Sequence, residues 1–336
     1  MDKIIYYLQK LFLVILLIFS FTCNNNALVT ISGNTMGTTY TIKIHSPNYV
    51  DSELLKNDID QLLDELNNVF STYLDNSELS VLNNSSNQNN KLSDMLFEVL
   101  DKSLYYSSIS DGHYDPTVYP IVDLWGFGPT KINKKPSDIS INRIKKYISY
   151  KMISLDSSDN TLQKDNNNIY IDLSSIAKGY TVDILYEYLL KMNFSDFMVD
   201  VGGELRCNGN NVDNNWIIGI SNPLSNNIYL KTSINNYSIA TSGTYNNFTI
   251  YDDIEYSHII NPLTGYPITS NILSSTVISE KCIDADALAT MLMVMPYREG
   301  IDIINDIPNT ECLILYKNNN KIIEYKSRDF NKYITN

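Results

Sequence analysis

Apolar positions along the chain follow two rhythms, and they succeed one another without regular order. Tyr40, Ile42 and Ile44 alternate with polar neighbours, which predicts an early half-buried strand. Leu55, Ile59, Leu62, Leu66 and Val69 step by fours and threes, predicting one face of an amphipathic helix capped by Asp51 or Ser52. Residues 83–90, rich in Asn and Ser, predict a loop. A second helix starting near Ser93 should bury Leu96, Val99, Leu100 and Leu104. Glycines and prolines after Trp125 mark irregular chain, followed by a helix over 139–148. Residues 169–171 predict a strand, and a long helix opens at Ser174 or Ser175 and runs towards Met192. Between 197 and 278 the pattern is mainly short strands, clearest at 216–220, 228–234 and 248–251. Asp284 opens a further helix to about Met295, and strands over 312–316 and 321–325 close the chain. Helices and antiparallel-looking strands in this mixture predict an α+β fold, with mixed or antiparallel sheets and packed helices. No Pro- or Ser-rich linker divides residues 33–336, so they read as a single compact unit.

Composition narrows the partners. The net charge of -13 repels phosphate backbones and argues against nucleic-acid binding. An anionic ligand would need local compensation from a metal or from helix N-termini. At the N-terminus, Lys3 and Lys10 accompany an apolar run over 11–21 that Asn24 to Asn26 end abruptly. Residues 1–22 therefore read as a signal peptide, with lipid attachment at Cys23 and a tether over 23–32. Simple secretion and an uncleaved membrane anchor are the alternatives, and all three place the domain outside the cytoplasm. Cys207, Cys282 and Cys312 form no Cys-x-x-Cys pair, which argues against zinc and leaves one disulfide possible.

Five segments carry candidate chemistry. Asp286 and Thr290 are four apart on a helix and share a face, offering hard oxygen donors for a cation such as Mg²⁺; equally, Asp284 and Asp286 could simply complement a helix N-terminus. The junction from Ile171 through Ser174 and Ser175 to Lys178 and Gly179 presents N–H groups for a phosphate, unless Lys178 is only a solvated helix charge. Asp111-Gly-His-Tyr-Asp-Pro-Thr117 makes a turn. There Tyr114, with Trp125 and Phe127, either stacks on a planar ring or plugs a core. Val201-Gly-Gly-Glu204 is a glycine turn beside a ligand or a plain β-turn, with Glu204 and Arg206 able to pair across it. His258, near Asn261-Pro-Leu-Thr-Gly265 and Ala240-Thr-Ser-Gly-Thr-Tyr245, is a candidate base or a structural histidine.

In this order the segments resemble the ApbE family of FAD:protein FMN transferases. Gly33-Asn-Thr-Met-Gly-Thr-Thr-Tyr40, Tyr73 with Ser77-Glu-Leu-Ser80, Asp115-Pro-Thr117, Ile176-Ala-Lys-Gly179 and Ala285-Asp-Ala287 carry the likeness across most of the chain. The resemblance implies a fold related to the T-fold. It implies FAD contacts at Met36, Tyr73, His113, Tyr114 and Asp115, with Ser174, Tyr180 and Ile260 at further ones. It also implies Mg²⁺ held by the Ala177 carbonyl, Asp286 and Thr290, and His258 as base. The implied reaction moves FMN from FAD to a threonine of an acceptor protein, a membrane electron-transfer subunit, and releases AMP. Two alternatives remain open: an FAD pyrophosphatase using water, and a non-catalytic flavin-binding lipoprotein. Asn261 stands where the family usually has Asp, and Ala289 lacks a carboxylate some members carry, so the metal has fewer anionic ligands.

Overall fold

The computed structural model describes residues 27–335 except 131, 133, 226, 245, 246 and 320. The expected signal peptide, Cys23, the first tether residues and Tyr245 lie outside the described residues. The remaining tether positions are strand. β1 (Ala27–Thr35) pairs along its whole length with β2 (Thr38–Ser46), so residues 27–32 belong to the sheet. Tyr40, Ile42 and Ile44 all point into the core as their alternation predicts.

Three strands lie outside the main sheet and pair together: β3 (Asn89–Lys91), β4 (Ile153–Asp156) and β5 (Thr161–Lys164). The main sheet continues with β6 (Asp196–Val201) and β7 (Glu204–Asn208). β8 (Trp216–Ser221) and β9 (Ile228–Ile234) form a second small sheet with a short C-terminal strand. β10 (Ser238–Gly243) returns to the main sheet. A separate hairpin, β11 (Phe248–Tyr251) and β12 (Ile254–Ser257), and a two-residue pair, β13 (Ile260–Asn261) and β14 (Tyr266–Pro267), follow. β15 (Ile272–Ser279), β16 (Glu311–Asn318) and β17 (Lys321–Lys326) complete the main sheet, and β18 (Ile334–Thr335) joins β9. The eight main strands run antiparallel in the order β1-β2-β6-β7-β10-β15-β16-β17.

Strand alternation gives this sheet two covered faces. Val199, Ala240, Val277 and Ile314 face helices, whereas Met198, Ile239, Ile278 and Leu313 face the β8–β9 sheet around Trp216. The helical layer contains α1 (Ser52–Phe70), α2 (Glu78–Asn84) and α3 (Asp94–Ile109). α4 (Tyr119–Leu124) and α5 (Asp138–Ile144) build a small side core with Trp125. α6 (Ala177–Lys191), α7 (Cys282–Val294) and α8 (Tyr297–Asp306) complete it. Asp51 caps α1 by accepting from Leu54 N at 3.1 Å. The buried stripe of α1 is Leu55, Ile59, Leu63, Leu66 and Phe70, rotated slightly from the expected one, since Leu62 and Val69 sit at its edge.

Two local expectations change. Part of the expected Asn/Ser loop is α2, capped by Ser77, and its Asn83 is buried. Residues 169–171 are extended but join no ladder. The Asn83 side chain takes the place of a neighbouring strand: its Nδ2 donates to Ile171 O at 2.8 Å and its Oδ1 accepts from Ile171 N at 2.7 Å. Cys207, Cys282 and Cys312 are buried and free, so no disulfide joins them.

Candidate active site

α7 is apolar around its circumference, and Ala285, Ala287, Leu288, Ala289, Met291 and Leu292 have no exposed surface. A polar side chain on such a helix must have a partner. Asp286 is 2% exposed, and its Oδ2 accepts from Gly179 N of α6 at 2.9 Å. The two helices approach so closely there that a Cβ on Gly179 would lie 2.4 Å from Cys282 O and 2.7 Å from Asp286 Cβ. Only glycine permits that contact.

Asp286 Oδ1 lies 3.9 Å from Lys178 Nζ, and the same ammonium lies 3.4 Å from Glu204 Oε1. Burial raises the Asp286 pKa, with the Lys178 charge and the Gly179 N–H opposing. Burial also raises that of Glu204, which Lys178 opposes and the Asp286 carboxylate reinforces. For Lys178, burial works against the charge, but the two carboxylates outweigh it and hold the ammonium protonated. Thr290, one turn beyond Asp286, shares a hydrogen bond of 3.1 Å with Ser242 of β10. The expected Glu204–Arg206 pair does not form. Both side chains leave the helix-facing side of β7, where Glu204 meets Lys178 and Arg206 Nη1 meets Asp183 Oδ1 at 2.7 Å.

His258 follows β12 directly. Its Nδ1 lies 2.9 Å from Asn247 O, and its backbone N donates to the same oxygen at 3.2 Å. A carbonyl only accepts, so Nδ1 carries the ring proton and Nε2 keeps its lone pair. Burial lowers the imidazole pKa; the Asn247 hydrogen bond opposes this and the Lys178 charge adds to it. The ring is therefore a neutral base at neutral pH, with Phe127 set edge-on at 6.2 Å between centroids.

These groups line one cavity of about 290 Å³. His113, Tyr114, Asp115, Ser174 and Ile260 also line it, as do Phe127, Asp172, Ser242 and Asn247. Asp115 is already engaged as a cap. Its Oδ1 accepts from Thr117 N at 2.8 Å and Thr117 Oγ1 at 2.6 Å, and its Oδ2 from Tyr150 N at 2.8 Å. Tyr114 is buried and accepts from Ser175 Oγ at 2.9 Å, whereas Trp125 is core, with Nε1 donating to Gly265 O at 3.0 Å.

Four expected positions are not among the lining residues. Met36 sits in the β1–β2 turn with Sδ 3.5 Å from Thr181 Oγ1. Tyr73 is 65% exposed and donates to Phe127 O at 3.2 Å, so it reaches the cavity only through Phe127. Tyr180 packs edge-on to Phe70 and bonds Glu98 at 3.2 Å. Ala177 O accepts from Thr181 Oγ1 at 2.8 Å. The N–H groups expected to receive a phosphate are largely engaged as well, because Ser174 N donates to Asp172 Oδ1, and Ile176 N and Ala177 N donate to Leu173 O. Asn261 lies outside the lining. It ties the following turn, accepting from Leu263 N at 2.9 Å and Thr264 N at 3.2 Å.

Comparison with known proteins identifies the family. The model of the ApbE family matches residues 36–314, a span holding every cavity residue. The chain belongs to the ApbE family. A Vibrio cholerae FAD:protein FMN transferase is 38% identical over 315 residues, covering 91% of this chain and 93% of that relative. One from Haemophilus influenzae is 32% identical, covering 90% and 91%. A solved structure of the flavin transferase ApbE from Vibrio cholerae superposes with a TM-score of 0.84 at 36% identity, covering 91% of this chain and 99% of that one. The α+β architecture with antiparallel sheets is thus that of ApbE structures. Reading the sequence placed Asp172 and Ser242 inside candidate segments without giving either a role, and it missed Asn247 in the cavity and, most consequentially, Asp183 behind it. A carboxylate between Val182 and Ile184 on a helix was the available signal for the last, since an acid in an apolar run needs a buried partner.

Proposed function

We propose that this ApbE-family chain transfers FMN from FAD to a threonine hydroxyl of an acceptor protein and releases AMP. The observation that carries the reading is a neutral His258 with a free Nε2, in one cavity with a buried carboxylate, an ammonium and paired hydroxyls. His258 takes the threonine proton, and the threonine oxygen forms a bond to the FMN phosphorus. The bond from that phosphorus to the bridging oxygen breaks, and its electron pair leaves with AMP. Lys178 contributes positive charge beside the phosphates, which an acidic protein must supply locally.

Mg²⁺ fits the donor set. Among the described residues no group of three or more His, Cys, Asp or Glu forms a metal cluster. Asp286, the Thr290 hydroxyl and the Ala177 carbonyl are hard oxygen donors nonetheless, and a carbonyl oxygen keeps a second lone pair beyond the Thr181 bond. Glu204 Oε2 is buried with no hydrogen-bond partner, and one ammonium faces two carboxylates, so the pocket lacks positive charge. Bound there, the ion would neutralise the diphosphate and the charge developing on AMP. The N-terminal sequence further supports export with lipid attachment at Cys23, which puts the acceptor on the same side of the membrane; the family resemblance makes that acceptor an electron-transfer subunit.

The test is mass spectrometry of a candidate acceptor domain after incubation with enzyme, FAD and Mg²⁺. An FMN adduct on a threonine, with matching AMP, is the expected result. AMP without an adduct would make the enzyme a pyrophosphatase, and neither product would refute the reading.

A further inference from the structure

The β11–β12 hairpin stands apart from every other sheet. An isolated two-stranded hairpin is marginal on its own, and this one is held by its inner face. Tyr251 and Tyr256 pack against Trp125, and the Tyr251 hydroxyl donates to Trp125 O and Ile132 O, each at 3.1 Å. The outer face has no such cover. Phe248 is 45% exposed and Ile250 58%, and they stand opposite Ser257 and Glu255 respectively.

The turn fixes which backbone groups are free. Asp252 and Asp253 both have positive φ, 53° and 62°, the signature of a two-residue type I′ loop. The flanking pair Tyr251 and Ile254 then exchanges hydrogen bonds, and so does Thr249 with Tyr256. The N–H and C=O groups of Phe248 and Ile250 point away from β12, along an edge that no other strand among the described residues pairs. This edge leads to the base: Asn247, immediately before β11, holds both the ring and the backbone of His258.

We infer that the outer edge and face of β11 form the docking strip for the acceptor protein, which adds an extended segment beside Phe248–Tyr251 and so presents its hydroxyl to His258. This rests on the transfer reading above. The partner's chemistry follows from the strip: an apolar side chain over Phe248 and Ile250 nearest the hydroxyl, and a lysine or arginine farther along, against Glu255. Asn247, the residue before Phe248, lines the cavity together with His258, so the strip runs up to the cavity wall where the acceptor hydroxyl must enter.

The test uses full-length enzyme and the acceptor that carries the FMN adduct in the assay above. Phe248→Asp with Ile250→Asp should raise KM for that acceptor by roughly tenfold or more, with kcat and FAD affinity within about twofold of wild type. Glu255→Lys should raise KM by roughly three- to tenfold, an effect that shrinks in high salt. Ile250→Ser alone serves if the double variant fails to fold, with a smaller rise in KM. An unchanged acceptor KM in variants that still bind FAD overturns the docking strip and leaves the transfer reading intact. If wild type labels no acceptor at all, both fall.

Discussion

Gly179→Ala is the most discriminating perturbation of the α6–α7 contact. The added methyl would lie 2.4 Å from Cys282 O and 2.7 Å from Asp286 Cβ. Those separations are roughly an ångström inside the ~3.5–4.0 Å optimum for non-bonded atoms. Neither obstacle can rotate aside, since one is backbone and the other is attached to it, so α7 itself must shift. Overpacking of this kind costs about 1–3 kcal/mol. Alanine recovers up to about 1 kcal/mol in helix propensity. The net expectation is a loss of about 1–2 kcal/mol, or a Tm lower by roughly 1.5–3 °C in a chain of this length. Gly300→Ala in α8 is the control. Its Cβ would meet only side-chain atoms, Leu292 Cδ2 at 2.5 Å and Met295 Cγ at 3.3 Å, which can shift without moving backbone, so Tm should stay within about 1 °C. The functional consequence is specific, because the Gly179 N–H holds the Asp286 carboxylate at 2.9 Å. Thermal melts and Mg²⁺ titrations of flavin transfer should therefore show Gly179→Ala losing stability and requiring about tenfold more Mg²⁺. Equal melting of the two variants, or an unchanged Mg²⁺ midpoint in Gly179→Ala, refutes the reasoning.

His258→Ala should keep FAD affinity and lose a factor of ~10² to 10⁴ in transfer rate; unchanged turnover removes it as the base. Because the neutral ring is the active form and burial lowers its pKa, the rate should rise with pH through a midpoint below the ordinary value of 6.5, and a midpoint above that value contradicts the assignment. Asp286→Ala should abolish Mg²⁺ dependence together with activity, and a full Mg²⁺ response in that variant would put the metal elsewhere. Asn83→Ala leaves both backbone groups of Ile171 unpaired in the core and should cost about 2–6 kcal/mol in urea unfolding, whereas a loss under ~0.5 kcal/mol would mean that the extended segment finds other partners.

The period-two stretch at Tyr40 and the i, i+4 stripe from Leu55 were legible because a single burial surface dictates each. Residues 169–171 were misleading for the same reason: Ile169 and Ile171 are fully buried like strand residues, but the partner for the Ile171 backbone is a side chain from position 83, and Ile169 N donates to Asn166 O. Nothing local announces that substitution. In the site, Asp286 and Thr290 could be paired by helical spacing alone, and the structure places both on one cavity. The Lys178–Glu204 contact and the Asn247 grip on His258 join residues whose meeting depends on the sheet order. The five segments, each ambiguous singly, converge because β7, β10, α6 and α7 are neighbours in the fold.

Asp183 explains why that convergence is rigid. The N-cap residue of α7, Lys281, offers no side-chain cap, so the first N–H groups of the helix need another acceptor. Asp183 supplies it from α6, with Oδ1 accepting from Cys282 N at 3.0 Å and Oδ2 from Ile283 N at 2.9 Å. Arg206 of β7 binds the same carboxylate while its guanidinium lies 3.7 Å over the Tyr186 ring. A buried ion pair adds little net stability over apolar packing, yet losing one partner is costly, so its main effect is to forbid alternative registers. Here it locks α7 to α6 and to β7 at one end. The Gly179–Asp286 contact locks α7 to α6 again one turn later. Two fixed points a turn apart oppose sliding and rotation of α7 against α6, and so hold Asp286 and Thr290 opposite Lys178, Glu204 and Ser242. The proposed site for a divalent ion and a diphosphate would depend on such fixing, because mutually repelling carboxylates would otherwise part.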